Sequence, residues 1–180
     1  MLAVARDKAR ESGVEVSLLQ ANLVELAGIA SASFDHATCL FSTLGMVAGL
    51  AARRRVIAEA ARIIRPGGRF VLHVHNRWFH LWDAPGRRWL WRDLWRRQRG
   101  DPTAGDSIMP THQGIAGLTL HLFSRSEALT LLREAGFRIV AVEPVSVDGA
   151  GPRWLANWRA YGFLIAAERP ALVAPAPPLR

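Results

Sequence analysis

Two histidines and an asparagine at the end of an apolar strand are the side chains best placed for chemistry. Residues 70–74 predict a buried strand that becomes polar at His73, His75 and Asn76, as expected where a strand emerges at its carboxyl end. Side chains alternate along a strand, so His73 and His75 share a face. An imidazole can accept a proton from a reacting group. We therefore take His75 as the candidate catalytic base, with His73 and Asn76 as further substrate contacts.

Other chemistries have less support in the sequence. The pair His73 and His75 lacks a third ligand at a convincing spacing, and His80 and His121 cannot be placed, so no metal site is predicted. Cys39 is the lone cysteine, which excludes an internal disulfide and a Cys-based zinc site. It falls in an apolar stretch, where a core role is more typical than a nucleophilic one. The sequence has no nucleophile elbow and no phosphate-binding P-loop.

Composition indicates one globular domain with a basic surface. The 180 residues are 50% hydrophobic, which is enough for a single substantial core. Lys plus Arg number 23 against 15 Asp plus Glu, a net charge of +8 that attracts anions generally. No apolar run is long enough to cross a bilayer, and the first residues lack the pattern of a signal peptide. We expect a soluble, cytoplasmic protein.

Helical and strand patterns alternate along the chain. This alternation predicts an α/β fold with a parallel sheet. The predicted helices are 1–12, 51–64 and 128–135, and the predicted strands are 14–18, 34–41, 70–74, 137–142 and 161–166, with 118–122 as a short strand or extended linker. We assign residues 1–168 to one domain. Residues 169–180, mostly Pro and Ala, are predicted to be a disordered tail.

Three stretches, in this order, resemble the class I S-adenosylmethionine-dependent methyltransferases. They are Ser33-Phe34-Asp35 with the strand that follows, the helix end Arg65-Pro66-Gly67-Gly68, and residues 123–137. The resemblance covers about residues 1–167. It implies a Rossmann-like, mostly parallel sheet with helices on both faces, S-adenosyl-L-methionine as cofactor, and methyl transfer to an acceptor that we expect to be a small molecule. The acceptor atom stays open.

The resemblance also implies which residues contact the cofactor. A first group, Ala21, Asn22 and Leu23, would lie beside the adenine. A second group, Leu40, Phe41 and Ser42, would approach the methionine end of the cofactor through its backbone. Asn22 stands where the family often has an acid, and an amide can still bond to adenine. Taken alone, Asn22 is typical of a turn and Phe41 of a core position.

One departure from the family concerns the front of the domain. The glycine-rich loop after the first strand and the acidic residue after the second are absent, and Gly67-Gly68 lies in a helix-to-strand turn that cannot replace the loop. We therefore expect an amino-terminally truncated domain. The absent strands would lie between 14–18 and 34–41, so we expect exposed sheet edges, low stability and weak cofactor binding.

A segment rich in tryptophan and arginine follows the histidine strand. Residues 77–99 hold five of the seven tryptophans, and Pro85 can open a helix with a basic row of Arg88, Arg92 and Arg96. We favour a helix packed on the sheet by its Trp and Leu face, as a lid or as plain structure. Nucleic acid can bind the three arginines. Membrane contact is disfavoured by the short length and Asp93.

The basic helix at residues 85–99 also leaves two alternatives to a small-molecule methyltransferase. The chain can be an RNA methyltransferase, or a non-catalytic methyltransferase-like protein that uses this helix to bind an acidic partner.

Overall fold

Within the described residues, a mixed sheet of four strands in the order β1-β2-β6-β5 organises the fold. The computed structural model describes residues 2–108, 118–146 and 155–171. The strands are β1 (Phe34–Cys39), β2 (Ile64–His75), β3 (Asp106–Ile108), β4 (Thr119–His121), β5 (Arg138–Val145) and β6 (Gly162–Glu168). The helices are α1 (Leu2–Glu11), α2 (Leu50–Ile63), α3 (Ala84–Gln98), α4 (Arg125–Glu134) and α5 (Ala156–Arg159), with 3₁₀ helices at Thr43–Met46 and Arg77–Trp82. Strands β3 and β4 form a separate antiparallel pair.

The Rossmann-like α/β class is confirmed, but the described sheet is not mostly parallel. Strand β1 runs parallel to β2, whereas β6 is antiparallel to both of its neighbours, β2 and β5. Strands β5 and β6 are consecutive in the chain and adjacent in the sheet, so β6 returns in the opposite direction. The sheet is therefore mixed.

Helices α2 and α4 share one hydrophobic core with the sheet. Both were predicted from their apolar spacing, and both end within a residue or two of the predicted limits. Ser124 caps α4 by accepting a hydrogen bond from the backbone N–H of Glu127 (3.2 Å), as its position before the helix predicts. The core includes Val56, Ile57, Ala60 and Ile63 of α2, Leu129 and Leu132 of α4, Phe70, Leu72 and Val74 of β2, and Phe163 and Ile165 of β6.

Residues 2–33 contribute little to this core. Helix α1 is confirmed, and Gly13 after it has the positive φ (64°) of a helix C-terminal glycine. None of its residues is buried, so α1 does not supply the second helical layer that we expected on the other face of the sheet. The strand predicted at 14–18 is wrong: this stretch is irregular, because no neighbouring strand pairs with its backbone. Strand β1 pairs with β2 and is a sheet edge, as expected.

The first residue of the predicted tail is held by the sheet. The backbone of Arg169, which we placed in the tail, exchanges hydrogen bonds with Gly67 (2.7 Å) and Gly68 (2.9 Å) at the start of β2. Most of the predicted tail, residues 172–180, lies outside the described residues, as do residues 147–154. Among the described helices, none is long and apolar enough to span a bilayer.

Candidate active site

The loop after β1 is exposed and has a strained backbone. Leu40 is 38% and Phe41 is 82% exposed. Phe41 and Ser42 have φ angles of 55° and 56°, in the left-handed region that non-glycine residues rarely adopt. The hydroxyl of Thr43 donates to the carbonyl of Leu40 (2.7 Å) and closes this turn. Such strain persists where the surroundings fix it, and it is common at ligand sites.

Ser42 joins two of the predicted site regions. Its side chain is fully buried, and its Oγ accepts a hydrogen bond from the backbone N–H of His75 (3.1 Å). The turn after β1 is therefore tied to the carboxyl end of β2. The whole of Ser42 is buried and its hydroxyl is used inside the protein, so its backbone contact with a cofactor stays a prediction.

The two histidines of β2 lie against an aromatic wall. The rings of His73 and His75 are 5.4 Å apart, and the ring of Tyr161 lies 4.5 Å from His75. Burial lowers the pKa of His75 to about 4, and nearby His73 and His80 add to the effect. Burial also lowers the pKa of His73. Both imidazoles are therefore neutral at pH 7, with lone pairs available to accept protons.

Tyr161 and Phe79 complete this wall and were missed as site residues. The ring of Phe79 meets Tyr161 edge-on at 5.4 Å. Tyr161 opens the last predicted strand, and antiparallel pairing places Gly162 opposite His75. That neighbourhood depends on which strands pair, and the linear sequence did not reveal it.

Asn76 has a structural role. It is 1% exposed, and its amide nitrogen donates to the carbonyls of Asn157 (3.0 Å) and Ala160 (2.9 Å). Its Oδ1 accepts from the backbone N–H of Trp78 (3.1 Å). These bonds leave the amide little capacity for a substrate.

The loop at residues 21–32 is held by α2. The guanidinium of Arg62 donates to the carbonyls of Leu26 (2.8 Å) and Ile29 (2.7 Å), and Glu59 accepts from the backbone N–H of Leu26 (3.0 Å). Asn22 accepts from the backbone N–H of Val24 (3.1 Å), so it makes the turn that its residue type predicts.

This loop closes a cavity beside β1. Its volume is about 210 Å³, and its lining is mostly apolar. Leu23 and Leu40, from two separate predicted cofactor stretches, both line it, whereas Ala21 and Phe41 do not. Cys39 also lines it, and burial raises the pKa of its thiol, which favours the unreactive protonated form.

A buried network of charges anchors the segment after β2. Asp93 of α3 accepts hydrogen bonds from Arg77 and from the backbone N–H of Gly105, and its side chain is fully buried. Arg97 bridges Asp93 (3.4 Å) and Glu127 (3.4 Å). The sequence did not indicate this burial, because two of the partners of Asp93, Arg77 and Gly105, lie outside α3.

His121 lies at the centre of this network. Its ring nitrogens are each 2.7 Å from a carboxylate oxygen, Nδ1 from Asp106 and Nε2 from Glu127. Burial alone would raise the pKa of Glu127, but the hydrogen bond and charge of His121, with the charge of Arg97, bring it below its ordinary value. Among the described residues, no cluster of His, Cys, Asp or Glu side chains is arranged to hold a metal.

Helix α3 is confirmed, but the packing that we favoured for it is wrong. Pro85 lies in its first turn, as predicted. Leu90 and Asp93 face inward, while Trp91 and Trp95 are 76% and 60% exposed. The buried ion pairs of Asp93 fix the orientation of the helix, so Trp91 and Trp95 do not pack on the sheet.

The arginines proposed for nucleic acid differ in availability. Arg96 donates to Asp101 (3.0 Å) and to Thr103, whereas Arg88 and Arg92 are exposed to solvent.

Comparison with known proteins agrees with this architecture. Residues 1–72 match the family model described as a methyltransferase domain. An S-adenosylmethionine-dependent methyltransferase from Methanosarcina mazei has a similar structure, with a TM-score of 0.69 and 21% identity over 94% of this chain and 77% of that chain. A possible histamine N-methyltransferase from Thermotoga maritima has a TM-score of 0.53 and 20% identity over 91% of this chain and 68% of that chain. No curated protein matches the sequence.

A structure with bound ligands is also similar. It is the 1,6-didemethyltoxoflavin-N1-methyltransferase of Burkholderia thailandensis with 1,6-didemethyltoxoflavin and S-adenosylhomocysteine, at a TM-score of 0.54 and 21% identity over 92% of this chain and 56% of that chain. The chain therefore has the fold of S-adenosylmethionine-dependent methyltransferases, and residues 1–72 of its 180 match the methyltransferase-domain model.

Proposed function

We propose that this chain methylates a small-molecule acceptor at the carboxyl ends of β1 and β2, with His75 as the proton acceptor. The observation that carries this proposal is the hydrogen bond from the backbone of His75 to Ser42 Oγ. It joins the predicted cofactor loop to the predicted substrate residues. In α/β sheets this end of the strands is where ligands bind. The cytoplasmic location stays a prediction.

The residues fit one part of the cofactor. S-adenosylmethionine supplies an electrophilic methyl group on a sulfonium. The cavity that Leu23 and Leu40 line is apolar enough to receive an adenine ring. Leu40, which lines the cavity, and Phe41, which follows it in the chain, are both exposed. The usual glycine loop and ribose-binding acid are not in this sequence, so the ribose and amino-acid ends have no assigned partners.

His75 is suited to take the proton that an N–H or O–H acceptor releases on methylation. Its pKa of about 4 keeps the imidazole neutral with a free lone pair at pH 7, and it also makes His75 a weaker base than an ordinary histidine. The Ser42 hydrogen bond involves the His75 backbone and leaves the ring unconstrained. Methyl transfer depends mainly on alignment, and such a base assists it.

The aromatic wall supports a small, planar acceptor. His75, Tyr161 and Phe79 present ring faces and edges next to one another, and aromatic surfaces stack on planar ligands. The similar Burkholderia structure holds 1,6-didemethyltoxoflavin, and the Thermotoga protein is described as a possible histamine N-methyltransferase.

Cofactor binding can be tested by calorimetric titration with S-adenosylhomocysteine. Leu23→Glu places a charge in the cavity and should abolish binding. Leu19→Glu, at a 64% exposed position outside the cavity lining, is the matched control and should bind normally. A folded wild-type chain that does not bind the ligand would contradict the proposal and favour the non-catalytic alternative.

The acceptor class can be tested with methyl-labelled S-adenosylmethionine. Wild-type protein should label a low-molecular-weight filtrate of cell extract. His75→Gln should lower the rate about 100-fold or more while S-adenosylhomocysteine affinity is unchanged. His73→Gln, on the same face but farther from the strand end, should have a smaller effect. Label that enters only RNA would overturn the proposal of a small acceptor.

A further inference from the structure

One side of α3 presents tryptophans and arginines to solvent. Its side chains, which we call the outer face, are Arg88, Trp91, Arg92, Leu94 and Trp95. Trp91, Leu94 and Trp95 are 76%, 39% and 60% exposed, and Arg88 and Arg92 are exposed as well. Large side chains of this kind are seldom left together in water without a binding role.

An apolar groove adjoins the outer face. It holds about 160 Å³ and is lined by Trp78, Leu81, Arg87, Leu90, Trp91 and Leu94. Its lining is aliphatic and aromatic except for Arg87, whose guanidinium donates to the carbonyl of Leu81 (3.2 Å). The groove lies between α3 and the 3₁₀ helix at Arg77–Trp82. It is suited to hydrocarbon and offers few partners to a polar ligand.

The charge of the outer face is positive. Asp93 is the acid within α3, and it faces inward, where Arg77 and Arg97 pair with it. Asp101 is paired with Arg96 (3.0 Å). The guanidinium of Arg99 stacks 3.6 Å above the ring of Trp95 and adds a further cation at the end of the helix. The outer face therefore complements an anionic surface.

We propose, against the expectation from the sequence, that the outer face of α3 binds the surface of an anionic phospholipid membrane, since Asp93 is buried and paired on the other side of the helix. Indole rings favour the boundary between water and hydrocarbon, and arginine binds lipid phosphates. A helix with these residues on one side lies in the plane of the interface. Leu94 and the groove would contact acyl chains. Arg96, the third member of the basic row, is engaged by Asp101 and Thr103, so the row is too short to track a nucleic-acid backbone well.

Sedimentation with lipid vesicles tests this proposal on the full chain. The wild type should bind vesicles of phosphatidylcholine with phosphatidylglycerol and not vesicles of phosphatidylcholine alone, and added salt should weaken binding. Arg88→Gln with Arg92→Gln should lower the affinity about 25-fold, or about fivefold for each arginine. Trp91→Ser with Trp95→Ser should remove the blue shift of tryptophan fluorescence on binding.

Two control variants distinguish binding through the outer face from nonspecific binding caused by any exposed apolar or basic side chain. Ile108→Ser removes a 75% exposed apolar side chain elsewhere, and Arg125→Gln removes a cation from α4. Both should bind vesicles like the wild type. The substituted positions are exposed, and circular dichroism is used to check that each variant folds. Equal loss in the controls, no binding to anionic vesicles, or tighter binding to an RNA oligonucleotide through the same residues would each overturn the proposal.

Discussion

Residues 2–33 and the half of the sheet formed by β2, β6 and β5 differ in how the chain is packed. Strand β6 pairs along its length with β2 on one side and β5 on the other, and α2 and α4 cover the apolar side chains. Helix α1 has no buried residue, and Val14, Val16 and Leu19 are each more than half exposed. Both regions have apolar patterns, but only one has partners that bury them.

The part of the chain that matches the family model is not the part that supplies most of the core. The family match covers residues 1–72, which include the poorly packed stretch as well as α2 and most of β2. Most of the core comes from residues 44–167. A sequence motif can therefore be recognisable even where its side chains are mostly exposed in the described structure. Mutations should show the contrast as unequal losses of stability.

The largest effect is expected at the centre of the packed half. Phe163 is fully buried in β6, so Phe163→Ala should lower the free energy of unfolding by about 3 to 5 kcal/mol. Phe34, at the edge in β1, is 46% exposed, and Phe34→Ala should cost about 1 kcal/mol or less. Urea denaturation measures both. Equal losses would mean that the sheet edge at β1 is packed as tightly as the centre of the sheet at β6.

The buried ion pair of α3 should have a comparable effect. Asp93→Leu leaves Arg77 buried without its acid and should cost about 3 to 5 kcal/mol. Arg77→Leu in the same chain removes the unpaired charge and should recover much of the loss. Thermal denaturation of the single and double variants tests this. A double variant as unstable as the two losses added together would show that the pair is not coupled.

A smaller effect is expected from pH at His75. Its pKa is about 4 in the folded chain and 6.5 when unperturbed. Below pH 6.5 the unfolded chain gains a proton that the folded chain does not, so stability should fall as the pH drops from 6.5 towards 4. His75→Gln should weaken this pH dependence. Proton NMR of the ring can place the midpoint directly, and a midpoint near 6.5 would contradict the burial.

The smallest effect is expected in the irregular stretch after α1. Val16 is 51% exposed and lies outside any strand, so Val16→Ser should change the free energy of unfolding by about 0.5 kcal/mol or less. Urea denaturation measures this difference too. A loss of several kcal/mol would indicate that this stretch is packed after all.

Local patterns predicted most of the packed half. Apolar spacing located α2 and most of α4, although α4 begins at Arg125, three residues before the predicted start. The strand at 14–18 had an equally good pattern but does not form. Alternation shows that a segment can pair, but its hydrogen bonds need a neighbour at the right distance.

The site was predicted in outline only. The positions of His73, His75 and the loop at residues 40–42 followed from the ends of predicted strands. The hydrogen bonds that saturate Asn76, the aromatic wall with Tyr161, and the network around His121 link residues far apart in the chain. No local pattern encodes such pairs.

The sequence by itself determined the class of fold, the methyltransferase resemblance and the helical nature of residues 84–98. Those features depend on residue type and spacing along the chain, which set local backbone conformation and amphipathic faces. The tertiary structure decided which face of α3 is buried. Asp93 turns inward because Arg77 and Arg97 pair with it there, and this leaves Trp91 and Trp95 in solvent. A buried charge needs a partner, and the partner's position is fixed only when the chain has folded.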